Sequence, residues 1–150
     1  MKRANKEKVL IYAVFNENDI DNGLKKEELI KKYCEDKGYN IVEIVRKPLP
    51  YTFFQTVENF VNIMKKSLSL NDKLDFDKVL VYDIREIVPN NSSLLVLLTI
   101  LKEDIKSLES IVQGRLNFNP LDKEDILGDD FIFEYYTCHK NKKYFLDSPF

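Results

Sequence analysis

VLVYDIREIVPN, residues 79–90, runs from four apolar residues into an aspartate, an arginine and a glutamate before a proline breaks the pattern. With Lys78 in front of it, the segment KVLVYDI reads as a β-strand, because β-branched and aromatic residues pack well on a pleated surface. PNNSS then supplies helix-starting chemistry, with Asn91 or Ser92 as the cap. The charged residues therefore fall where a strand hands over to a helix. In an open α/β sheet that edge is where ligands bind.

Reading outward gives the rest of the fold. VLIYAVF (9–15) is a continuous apolar run, the pattern of a strand covered on both faces. NENDIDNG (16–23) reads as a polar loop. KKEELIKKYCEDKG (25–38) places Leu29, Ile30, Tyr33 and Cys34 at helical spacing, with Gly38 at the C-terminal cap and the Lys/Glu run on an exposed face. YNIVEIV (39–45) is a second strand, and KPLPY (47–51), with two prolines, a loop. FFQTVENFVNIMKKSL (53–68) carries Phe54, Val57, Phe60, Val61 and Met64 on one helical stripe. NDKLD is a connector. LLVLLTILKED (94–104) is a helix apolar nearly all round, which predicts burial, and KSLESIVQ (106–113) a fourth strand.

Strands alternating with helices predict an α/β fold: a mostly parallel sheet of about four strands with helices on both faces. Residues 1–113 form this domain. Residues 114–150 read as an extension on the same domain, with a short helix near Lys123 to Ile126 and an aromatic β-hairpin, FIFEYYTC and KYFLDS around HKNK.

Bulk properties narrow the function. At 150 residues, 44% hydrophobic and 32% charged, the chain suits one globular domain. A net charge of -2 gives no support for nucleic-acid binding, which normally shows a basic patch. Cys34, Cys138 and His139 lack metal-ligand spacing, and no glycine-rich phosphate loop is present. No cofactor is expected. The longest apolar run, LLVLLTIL, is far short of a membrane span, and no signal-peptide core follows the basic N-terminus, so the cytoplasm is the expected compartment.

Residues 1–113 resemble the N-terminal catalytic domain of the serine recombinases, the resolvase/invertase family. The resemblance lies in YAVFN (12–16) ending the first strand, in the junction EDKGYNIVEIV, and in FDKVLVYDIREIVPN (76–90) before a buried helix. It implies the resolvase-like fold and, in active members, attack of a serine on a DNA phosphodiester with arginines clamping the phosphate, a task suited to the planar, permanently charged guanidinium. This chain departs from that pattern. Against the family's Tyr-x-Arg-x-Ser it reads Tyr12, Ala13, Val14, Phe15, Asn16, so Val14 replaces an arginine and Asn16 the nucleophile. The loop 16–23 contains no Ser, Thr, Cys or Tyr to take over. Against Asp-Arg-x-x-Arg-Asn it reads Arg85, Glu86, Ile87, Val88, Pro89, Asn90, so both arginines are replaced, by Glu86 and Pro89. At about 4 Å and an effective dielectric near 20, reversing that charge turns a gain of about 4 kcal/mol into a similar loss. Treating Arg85 as a displaced arginine needs a one-residue slip in a strand, which would exchange its faces.

What the resemblance implies is a non-catalytic descendant of mobile-element or phage origin, acting as an interaction or regulatory module on a protein partner or through self-association. Tyr12, Asn16, Arg46, Arg85 and Glu86 are the residues of its residual site. An active or DNA-binding recombinase using displaced residues is the alternative. A flavodoxin-like domain holding a small ligand or Mg2+ is the third reading, with Glu17, Asp19 and Asp83 as the carboxylates a hard cation would take. Solvated loop acids are the plainer account of those three.

Overall fold

A computed structural model describes residues 6–68 and 74–115, the last two by their backbone alone. The expected hairpin, the short helix near Lys123, Cys138, His139 and the aromatic tail lie outside the described residues. The elements run β1 (Lys8–Phe15), α1 (Ile20–Lys37), β2 (Asn40–Pro48), α2 (Phe53–Ser67), β3 (Lys78–Val81), a 3-10 turn (Ile84–Glu86), α3 (Asn91–Lys102), β4 (Ser107–Ser110) and β5 (Gly114–Arg115). The protein is an α/β fold. β2, β1, β3 and β4 lie side by side and parallel, and a two-residue β5 adds an antiparallel edge. That last strand was not expected from the sequence.

The chain steps outward from β1 to β2, then crosses back over β1 to reach β3. Right-handed crossovers in opposite directions put helices on opposite faces. Accordingly Val9 and Ile11 of β1 pack with Ile30, Tyr33 and Cys34 of α1 on one face. Leu10, Tyr12 and Val14 pack with α2 and α3 on the other, against Phe60, Ile63, Leu94 and Leu97. Both faces of β1 are covered, so a run with no polar alternation could only be a central strand.

Several boundaries differ from the sequence reading. α1 begins at Ile20, inside the expected loop, because Asp19 caps it by accepting from the backbone N–H of Asn22 at 3.2 Å. Gly23 fits within the helix for a steric reason: a Cβ there would sit 2.9 Å from the Cβ of Phe15. Gly38 closes the helix with φ 74°, donating its N–H to Cys34 and Glu35 carbonyls, as expected of a left-handed cap. β2 continues through Lys47 and Pro48, so the proline loop is shorter than read. α3 is capped by Asn90, one residue before the expected position. It is not buried all round: Leu94, Leu97 and Leu101 face the core, while Val96 is 43% exposed. Among the described residues, no helix is long and apolar enough to cross a membrane.

Candidate functional site

The order β2-β1-β3-β4 reverses direction between β1 and β3, and this is the crevice where open sheets of this kind bind ligands at the strands' carboxyl ends. Three connections meet there: Asn16–Asp19, Leu49–Thr52 and Tyr82–Asn90. Among the described residues they border two clefts. The larger, about 440 Å³, is lined by Asn16, Glu17, Asn18 and Lys47 through Tyr51, together with Gln55, Glu58 and Asn59 of α2. The smaller, about 200 Å³, lies between Pro50–Phe53 and Arg85–Pro89. Pro50 and Tyr51 border both, and Tyr51 is 93% exposed.

The larger cleft is rich in amides. Asn16 turns its Oδ1 back onto the N–H of Asn18 at 2.9 Å, and Gln55 Oε1 accepts from the N–H of Tyr51 at 2.6 Å. Below it, Asn59 Nδ2 donates to the Tyr12 hydroxyl at 2.8 Å. Burial raises the Tyr12 phenol above its ordinary range, with the Asn59 contact working the other way. Among the described residues the lining offers amides, two carboxylates and one ammonium, and apart from the Tyr51 phenol no hydroxyl or thiol. This chemistry can hold a polar ligand by hydrogen bonds. Among the described residues it contains no nucleophile beside a general base, the arrangement covalent catalysis needs.

The charged residues at the strand ends are engaged with one another. Asp83 is buried and accepts from the Arg85 backbone N–H at 3.0 Å, from Arg85 Nε at 3.1 Å and from Gln113 Nε2 at 2.8 Å. Burial alone would raise its carboxyl, but these donors overcome that and hold it below the ordinary carboxylate range. Glu86 accepts from the Lys26 ammonium, a pair with both side chains nearly enclosed. Burial pushes the Glu86 carboxyl up, against the pull of Lys26. Arg46 grips Glu27 with both arms of its fork, Nε to Oε1 and Nη2 to Oε2, each at 2.8 Å. The Arg46 hydrogen bond lowers the Glu27 carboxyl, and Lys31 assists from 3.4 Å.

The five residues of the expected site therefore do not share one cavity. Asn16 lines the larger cleft and Arg85 and Glu86 the smaller. Tyr12 sits in the core beneath, and Arg46 faces α1. Val14 is a core residue, and Pro89 closes the smaller cleft. The three carboxylates considered for a cation are also apart in role. Asp19 is a helix cap, Asp83 is committed to Arg85 and Gln113, and Glu17 is exposed. No group of three or more His, Cys, Asp or Glu side chains is placed to hold a metal among the described residues.

No protein-family model matches the chain, and no curated protein matches it.

Sequence reasoning missed two features. Lys26 and Glu27 were read with the exposed lysine/glutamate face of α1, yet both are buried. Helix periodicity shows which positions share a face, but not which charged residues find a partner on a distant strand. The second feature is a buried polar cluster under α1. Lys78 Nζ donates to Glu109 Oε1 at 2.7 Å, Tyr39 OH to the same carboxylate at 2.9 Å, and Tyr33 OH to Glu109 Oε2. Two opposite charges on same-face positions of neighbouring strands were the available signal: Lys78 with Leu80, and Glu109 opposite Leu80. At Glu109, burial would raise the carboxyl, but the hydrogen bonds from Lys78 and Tyr33 bring it below its ordinary range.

Proposed function

We propose that this protein is a non-catalytic relative of the serine-recombinase catalytic domain, working as an interaction module through its strand-tip surface. One observation carries the reading. Each arginine near the strand tips is already paired internally, Arg46 with Glu27 and Arg85 with Asp83, while Glu86 takes Lys26. A phosphate arriving there meets neutralised guanidinium groups beside a buried carboxylate. It would have to displace a bidentate carboxylate to win an arginine, and such pairs are among the stronger hydrogen-bonded contacts. The residue at the nucleophile position, Asn16, is an amide whose oxygen is held by its own loop. The parallel sheet with helices on both faces suits the resemblance. Exposed Leu49, Tyr51 and Phe54, beside the clefts, are the apolar and aromatic anchors that a protein contact uses.

The test is direct. Purified protein is incubated with supercoiled and with nicked DNA, then denatured and resolved for a protein–DNA adduct. We expect none, and no change in DNA topology. A covalent adduct would overturn the reading in favour of an active recombinase that uses displaced residues.

A further inference from the structure

β2 forms one outer edge of the sheet, and among the described residues only its β1-facing side carries main-chain hydrogen bonds. At nine residues it is the longest of the described strands, against four each for β3 and β4. Its stretch Ile41–Val45 is half-buried and, apart from Glu43, β-branched, with neither proline nor glycine. Proteins usually blunt such an edge, since its bare N–H and C=O groups are a template for another strand. Here the blunting proline, Pro48, comes only at the strand's end.

We propose that the chain self-associates through β2, two copies pairing antiparallel about a two-fold axis normal to the sheet at Val45. The side-chain pattern selects this partner and this register. Val45 and Lys47 pair with Tyr12 and Val14 of β1, which face α2 and α3, and Glu43 pairs with Leu10 on the same face. In an antiparallel pair, opposed residues share a face. Centring the axis on Val45 sets Glu43 opposite the partner's Lys47, and symmetry makes the contact twice. Centring it on Glu43 stacks like charges, and centring it on Ile44 opposes Glu43 to valine. Neither Glu43 nor Lys47 has an ion-pair partner among the described residues, so both are available. A strand that is its own charge complement fits a second copy better than an arbitrary extended peptide. The pairing uses no group of the strand-tip ion pairs, so it stands apart from the recombinase reading.

The full-length protein is examined by sedimentation velocity from about 5 to about 500 µM, a range that spans a small interface with a dissociation constant on the order of 10 µM. Concentration-dependent dimer is expected. Glu43→Lys and Lys47→Glu should each weaken it about tenfold, because two symmetric cross-strand pairs become repulsive. The double variant E43K/K47E should return to within about twofold of the original, since the charges again face their opposites. Circular dichroism checks that each variant is folded, and either single variant together with the double suffices. A chain that stays monomeric throughout overturns the proposal. So does a dimer indifferent to the single substitutions, or one that the double substitution fails to restore.

Discussion

Replacing Glu109 with glutamine removes one negative charge from beneath α1 and strands the Lys78 ammonium, whose side chain is 1% exposed. The carboxylate it loses accepts hydrogen bonds from Lys78, Tyr33 and Tyr39. A glutamine offers one oxygen where the carboxylate offers two, and turns its NH2 toward donors. Lys78 keeps the Tyr39 hydroxyl at 3.1 Å and Glu7 at 3.3 Å, but the Glu7 side chain is 44% exposed and screened by water. Breaking one member of a buried pair costs about 3–5 kcal/mol, much of it the penalty on the charge left behind. Domains of this kind are stable by only about 5–15 kcal/mol, so a large share is lost. We expect Glu109→Gln to lower the urea midpoint at unchanged slope, and Tm by about 10 °C. Removing the whole cluster should be milder. Lys78→Met with Tyr33→Phe and Glu109→Leu leaves no charge buried in this cluster, and Tyr39, only half-buried, can turn its hydroxyl to water. Far-UV circular dichroism against urea is the assay. A Glu109→Gln protein within about 1 kcal/mol of the original, or a triple variant weaker than the single, would refute the reasoning.

Three further outcomes follow from the same structure. Glu109, Asp83 and Glu27 have carboxyls held below their unfolded values, so their stabilisation is complete above about pH 5 and is lost as pH falls through the folded values; Glu86, raised by burial, acts in the opposite sense, and a urea midpoint series from pH 7 to pH 3 reads the balance. Gly38→Ala places a side chain at φ 74° with nothing within 4 Å of its Cβ, so the cost is that of the backbone alone, about 1–2 kcal/mol; Gly23→Ala meets Phe15 instead and should shift α1, visible as changed near-UV dichroism from the tyrosines packed beneath it. The Cys34 thiol is pushed up to about 12 by burial and by the Glu109 charge, so in a Cys138→Ser variant Ellman's reagent should react only after urea is added; prompt labelling of the native protein would contradict the packing of α1.

Much of the architecture was legible in local patterns. VLIYAVF has no polar alternation because both its faces are covered, and Gly38 ends a helix because only glycine takes the left-handed cap without strain. The helix starts that slipped were set by a local capping side chain rather than by the apolar pattern. Ile20 and Leu24 look like loop residues because they stay exposed, yet Asp19 has already started the helix. Apolar composition likewise overstated the burial of α3: Leu94, Leu97 and Leu101 are fully buried, Leu98 and Ile100 only partly, and Val96 is exposed.

The strand-tip site divides along the same line. Sequence alone determined that Asn16 is an amide and Glu86 a carboxylate, because chemical identity belongs to the residue itself. It also determined that apolar runs at two periods would stack into layers, because burying them is the largest favourable contribution to folding. Only tertiary structure decided which charges meet. Arg46 reaches Glu27 across 19 positions, Lys26 reaches Glu86 across 60, and Lys78 reaches Glu109 across 31. A charge in the chain carries no direction of its own; its partner, its burial and its proton affinity are set by whichever strand the fold lays beside it.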